Sequence, residues 1–328
     1  MTTQLARAAG RHVLKGSYVA ARTSGRVAVA GLRVGIRATQ QFPDLPELPE
    51  GRYVDLPGRG EVYVVDTGAP REGAPTLLLF HGLATTAYLN WFSTLDELRA
   101  ENRVVMLDQR WHGRGIVSDR FSLEECADDT AAVLEQLGVV RAVAVGYSLG
   151  GALAQTFWRR HPERTAGLVL ASTAACWRGN LGDALFYPAL GLANDRLRPH
   201  YRSRVAEVRS GLADVALAGA ELSTWAWAEF RSTSVWAMPE VLGVLGTFDA
   251  RPWLGEVDVP TAVVVTSRDR AISPSRQRAM AAAIPGAVVH EAPGGHASVV
   301  FDVERWRPVF LRAVAEVVER AGNQAWCT

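Results

Sequence analysis

Short apolar runs alternate along this chain with longer stretches that carry apolar residues every three or four positions. The first pattern predicts β-strands and the second amphipathic helices. Thr76–Phe80 is apolar almost throughout, which suits a strand buried on both faces of a parallel sheet. Further strands are predicted at 104–107, from Ala142 into the Gly146–Gly150 stretch, at about 167–171, at Thr261–Thr266 and at 287–292. Helices are predicted between them at about 92–100, from a Ser122/Glu125 capping box to Gly138, and directly after residue 148. Two more are expected, one from Ser273-Pro274 to Pro285-Gly286 and one over 303–321. Ahead of this series, 53–56 and 61–66 flank Pro57-Gly58-Arg59-Gly60 and read as a hairpin. Such alternation predicts an α/β fold, a mostly parallel sheet with helices on both faces.

The rhythm breaks at 173–252, which reads as several short tryptophan-rich helices with no convincing strand. An all-helical insertion after the sixth strand is expected to sit as a cap over the carboxyl ends of the strands, where open α/β sheets bind ligands. The expected organisation is a basic arm and Pro-rich linker at 1–47, a core at 48–172 and 253–328, and the cap at 173–252. The arm holds Arg7, Arg11, Lys15, Arg22, Arg26, Arg33 and Arg37, with no acid before Asp44. Their spacing places them on one helical face, although five glycines in the same stretch oppose helix formation. One reading is a helix lying on an anionic membrane surface. The other, favoured by an alanine-heavy apolar face with little area to insert, is an arm docked on the body or on a second subunit.

Composition narrows the function classes. With 48% hydrophobic and 21% charged residues among 328, the chain is globular and long enough for a large core. It lacks the run of about 18 apolar residues that would span a bilayer, and no secretory h-region follows Met1. Beyond the arm, 28 basic residues face 34 acidic ones, so the body offers no basic footprint for nucleic acid. Cys126, Cys176 and Cys327 are an odd count without CxxC spacing, against a disulfide scaffold or a zinc site. Cys126 and Cys176 are expected to be small buried hydrophobes. These features point to the cytoplasm, at a membrane surface if the arm binds lipid.

The chemistry concentrates at Gly146-Tyr147-Ser148-Leu149-Gly150, where a Val-rich strand turns into a helix. A serine between two glycines at such a turn is a nucleophile elbow, its hydroxyl lifted clear of the sheet. Serine needs a base within hydrogen-bond reach, itself held by an acid. His296, in Pro293-Gly294-Gly295-His296, occupies a loop at the correct end of the sheet and is the candidate base. Asp269 follows the strand Thr261–Thr266 by three residues and is the candidate acid, although Arg268 and Arg270 would also suit it as a surface ion-pair partner. The backbone N–H groups of Leu149 and Leu83 are candidate oxyanion donors, the latter in the loop His81-Gly82-Leu83. His81 is expected to prop its own loop. Asp108 and Arg110 are expected to pair within a structural loop, with His112 near the pocket floor. Tyr147, Trp177, Trp225, Trp227 and Trp236 are candidate substrate contacts for an apolar ligand group. No metal-ligand spacing or phosphate-cradling motif is present.

Together these segments resemble the α/β-hydrolase superfamily from about residue 50 to 320. In closer detail they resemble the bacterial esterase branch with a helical cap, which includes cofactor-free haloperoxidases. The resemblance implies an eight-stranded, mostly parallel sheet and no cofactor. Epoxide hydrolases and haloalkane dehalogenases of this fold carry an aspartate at the elbow, so Ser148 favours hydrolysis of a carboxylic ester through an acyl-enzyme. Two alternatives are C–C bond hydrolysis of a diketone-like substrate by the same triad, and a catalytically silent ligand-binding relative. Trp111 stands where relatives usually carry glycine and is expected to narrow or reshape the pocket.

Overall fold

The computed structural model describes residues 47–179, 181–210 and 222–322; the basic arm at 1–43 and Cys327 lie outside them. Eight strands form one sheet in the order β1-β2-β4-β3-β5-β6-β7-β8. The hairpin β1 (Arg52–Leu56) and β2 (Gly60–Asp66) is antiparallel, and β2 pairs antiparallel with β4 (Arg103–Leu107). From β4 onward through β3 (Thr76–Phe80), β5 (Ala142–Tyr147), β6 (Thr165–Ala171), β7 (Thr261–Thr266) and β8 (Val288–Ala292), every pairing is parallel. The catalogue of strands read from the sequence is thus recovered, with β3 and β7 at the expected limits.

Because successive strand residues point to opposite faces, each apolar run feeds two cores. Leu78 and Phe80 of β3 join Ala144, Leu168 and Val263 beneath α3 (Leu123–Gln136), α4 (Leu149–Arg160) and α8 (Pro274–Ala283). Leu77 and Leu79 join Val143, Val145 and Val264 beneath α1 (Ala87–Trp91), α2 (Leu95–Glu101) and α10 (Val303–Gly322). In α10, Trp306, Phe310, Ala313, Val314 and Val317 recur at helical spacing and are all buried. Trp306 and Phe310 stack with centroids 4.6 Å apart, and Trp91 of α1 stacks on Phe310 at 5.5 Å. The helix α1 is an addition to the predicted set. Thr86 starts it by accepting the Leu89 N–H at 3.1 Å, an N-cap that the loop sequence conceals.

Between β6 and β7 the described chain is helical, with α5 (Leu181–Ser210), α6 (Leu222–Ser232) and α7 (Ala237–Leu245). The base of the insertion is closed by an isolated bridge between Cys176 and Asp249, with Ala250 N–H donating to Ala175 O at 2.7 Å. Where several short helices were expected, α5 runs for 30 residues with Pro188 and Pro199 inside it. Both prolines are exposed, so the carbonyls they leave without an N–H partner can face water. Cys126 is buried in α3 as expected, whereas Cys176 is only partly buried at the base of the insertion. A short helix α9 (Ser298–Phe301) precedes α10. No helix among the described residues is long and apolar enough to cross a membrane.

Candidate active site

The turn from β5 into α4 holds Ser148 at φ 55° and ψ −115°, a conformation that costs an L-residue energy and persists only where the surroundings enforce it. They do so by close packing. A Cβ on Gly146 would overlap the Gly150 carbonyl, and one on Gly150 would overlap the Phe80 carbonyl of the neighbouring strand. Both positions therefore require glycine. The serine hydroxyl is left half-buried beyond the sheet edge, at the N-terminus of α4.

Ser148 Oγ lies 2.9 Å from His296 Nε2, and His296 Nδ1 lies 2.7 Å from Asp269 Oδ2. A carboxylate only accepts, so Nδ1 carries the imidazole proton and Nε2 is left to accept from the serine hydroxyl. The Asp269 side chain is fully enclosed, whereas the imidazole is 30% exposed. Asp269 turns inward: its Oδ1 accepts the N–H groups of Ala271 and Ile272 at 2.8 and 2.9 Å. Its Oδ2 accepts from Gln277 Nε2 at 3.2 Å as well as from the histidine. It makes no ion pair with Arg268 or Arg270 among the described residues, so the surface-pair alternative is set aside. Gln277 is itself clamped, accepting the Thr266 N–H at 3.0 Å and donating to the Ile272 carbonyl at 2.7 Å. Sequence reading missed Gln277, which lies on a helix where nothing local marks an inward-pointing amide.

The N–H of Leu149 opens α4, and that of Leu83 lies in the loop after β3; neither donates to another group among the described residues. The neighbouring Gly82 N–H is spent on Asn90 Oδ1 at 3.0 Å. His81 props this loop as expected. Its Nε2 accepts the Gln109 N–H at 2.8 Å, which leaves Nδ1 to donate to the Gly82 carbonyl at 2.8 Å. Burial pushes His81 down to about 4, so this neutral tautomer holds near pH 7. His112, edge-on to His81 at 5.1 Å, is pushed down to about 3 by burial and by the neighbouring imidazole.

Other expectations need correction. Asp108 and Arg110 do not pair. Asp108 accepts the N–H groups of Ala87 and Arg114 at 2.7 and 2.8 Å, whereas Arg110 forks onto Asp129 of α3 at 2.5 and 2.8 Å and also meets Glu125. The chain turns sharply after β4 and sends the two side chains apart. Trp111 adopts φ 66°, the conformation that makes glycine usual there, and its indole is fully buried with Val54, Ile116 and Phe121. It fills the core, and its Nε1–H donates to the Ser118 carbonyl at 3.2 Å. Tyr147 is 3% exposed and donates its hydroxyl to the His296 carbonyl, bracing the histidine loop from below. Trp225 is packed edge-on against Phe92 in the core at 5.3 Å. Trp236 is exposed and stacks on Tyr201. Trp177 and Trp227 are half-buried, beside Phe248 and Phe230.

A family profile described as "alpha/beta hydrolase fold" matches residues 75–303, well over half of the chain. The chain is an α/β hydrolase. Among curated relatives of this hydrolase, epoxide hydrolase B of Mycobacterium tuberculosis is 33% identical over 125 residues, 37% of this chain and 35% of that enzyme. Among solved structures, a hydrolase from Pseudomonas aeruginosa PA01 has a TM-score of 0.63 at 23% identity, covering 81% of this chain and 98% of the other. A thermophilic esterase from Thermogutta terrifontis has a TM-score of 0.60 at 24% identity, covering 83% and 99%. At these identities the structural likeness establishes the fold of the hydrolase, while the chemistry has to be argued from its own side chains.

Proposed function

We propose that this hydrolase cleaves carboxylic esters through an acyl-enzyme on Ser148. The observation that carries the reading is the continuous relay from Ser148 Oγ through the His296 imidazole to the enclosed Asp269 carboxylate. As Oγ attacks the ester carbonyl, Nε2 takes its proton and the imidazolium is stabilised by Asp269. The carbonyl oxygen gains charge facing the N–H groups of Leu83 and Leu149, and the helix end behind Leu149 adds to the field. Collapse expels the alcohol, which takes the proton back from Nε2. Water, deprotonated by the same nitrogen, then attacks the acyl-enzyme, and the acid leaves with Ser148 restored. A carboxylate at the elbow would serve alkyl-ester chemistry; a serine hydroxyl serves acyl transfer.

The ester is proposed to carry an apolar acyl or alcohol group, met by the half-buried Trp177 and Trp227 of the insertion. Turnover of p-nitrophenyl esters of increasing acyl length tests this, and a strict preference for acetate contradicts it. Ser148→Ala should reduce ester turnover to at most the roughly 10³–10⁴-fold over water that binding and oxyanion donors supply. Near-normal turnover by that variant overturns the assignment.

A further inference from the structure

The loop from His81 to Thr86, which carries Leu83, passes beside the nucleophile: a Cβ on Gly82 would stand 3.6 Å from the Ser148 Cβ. Its backbone is not at rest. Ala84 sits at φ 61°, in the left-handed region, and a non-glycine residue stays there only when its neighbours hold it. From within, the loop is held by His81 and Thr85 on the Gly82 carbonyl and by Asn90 on the Gly82 N–H. Its far end is held from the helical insertion, about 150 residues later in the chain. Glu229 of α6 accepts the Thr86 hydroxyl, and Thr233 donates to the Thr85 carbonyl at 3.3 Å.

Glu229 is 1% exposed, and its second partner is Arg114, at 2.7 and 3.3 Å. Arg114 is 6% exposed, with its guanidinium 5.3 Å from the centre of the Tyr63 ring. Its backbone N–H donates to Asp108, whose other oxygen accepts the N–H of Ala87, the residue after Thr86. The contacts thus close a ring through Thr86, Glu229, Arg114, Asp108 and Ala87. One of its five members comes from the insertion, and it is the member that takes both the loop hydroxyl and the closer hydrogen bonds of the Arg114 guanidinium, whose other carboxylate neighbour, Asp108 Oδ2, stands at 3.7 Å. A buried cation that loses the nearer of its two carboxylates is destabilised, so a ring opened at Glu229 is disfavoured.

We propose that Glu229 is a positioning residue for the oxyanion loop, making the seating of the helical insertion and the placement of the Leu83 N–H a single event. The proposal rests on the ester reading for the role of Leu83. It extends that reading by making the insertion part of the transition-state machinery as well as a cover for substrate. An oxyanion donor acts only over a hydrogen-bond length, and displacement of about 1 Å costs on the order of 10²-fold in rate.

The test uses the full chain with Glu229→Gln, which keeps size and an acceptor but removes the nearer of the two charges on Arg114, and with Thr233→Val. Amide hydrogen exchange over 82–87 should accelerate about tenfold or more in Glu229→Gln, and less in Thr233→Val, while 142–147 exchanges as in the parent. The kcat for a p-nitrophenyl ester should fall about tenfold or more with KM within about twofold, the mark of an interaction made in the transition state. Unchanged exchange over 82–87, or a rise in KM at constant kcat, overturns the proposal. If Glu229→Gln does not fold, the same two readouts on Thr233→Val decide it. A parent chain that neither turns over esters nor reacts with a fluorophosphonate at Ser148 defeats the ester reading separately, and the exchange comparison then decides whether the insertion holds the loop.

Discussion

Ser148 and Trp111 both hold a positive φ, at 55° and 66°, for opposite reasons. At Ser148 the strain presents a hydroxyl to His296; at Trp111 it is tolerated because a large indole fills the core. Trp111→Gly should therefore relax the backbone by about 1 kcal/mol yet lose about 3–5 kcal/mol of packing. A net destabilisation of about 2–4 kcal/mol in urea unfolding is expected, and a stabilised variant contradicts this account. Asp269→Asn removes the charge and, with its amide oxygen kept on the Ala271 and Ile272 N–H groups, turns an NH2 towards His296 Nδ1 and upsets the imidazole tautomer, so kcat should fall by roughly 10³–10⁴ with the fold intact. These residues differ in how far they can be read from the sequence. Ser148 and His296 sit in short segments that glycines and strand ends announce, and Asp269 follows a strand end by three residues. Whether Tyr147 faces substrate or the underside of the histidine loop depends on the direction of a strained turn, which no spacing encodes. The same holds for Asp108 and Arg110, two positions apart and pointed at different partners.

At the scale of elements, strands were legible because burial on both faces leaves continuous apolar runs, and α10 because its buried face repeats at helical spacing. The five-residue α1 was not legible, since one turn carries no period and its cap is a threonine in a loop. Nor was α5, expected as several short helices but continuous through two prolines that lie on its outer side. Apart from the Ser148, His296 and Asp269 set, which motifs mark, ties between elements were not legible, because their partners are distant in sequence and no local pattern announces them. One of these is the Arg110 fork onto Asp129, which pins the loop after β4 to α3, with Asp129 at 4% side-chain exposure. Asp129→Ala strands the guanidinium and should cost about 3–5 kcal/mol of stability. A loss under about 1 kcal/mol in chemical unfolding would mean that Glu125 alone holds Arg110.

At the scale of the whole molecule, two histidines are folded into the centre uncharged. His81 and His112 are pushed down to about 4 and about 3 by burial, from an ordinary value near 6.5. Below about pH 6.5 the unfolded chain takes up protons that the folded chain refuses, so stability falls as pH drops from about 6.5 towards 4. The slope approaches about 1.4 kcal/mol per pH unit for each histidine. Unfolding midpoints in urea at pH 7, 6, 5 and 4.5 should follow that decline, and constant midpoints contradict the burial of neutral imidazoles. The central claim concerns the convergence of Ser148, His296 and Asp269, and it is tested most directly by covalent trapping. A fluorophosphonate, followed by peptide mass mapping, should leave one adduct per chain on Ser148, formed at least about 10³-fold more slowly in His296→Ala. An adduct on another residue, or a folded chain that hydrolyses esters while Ser148 stays unmodified, contradicts the account.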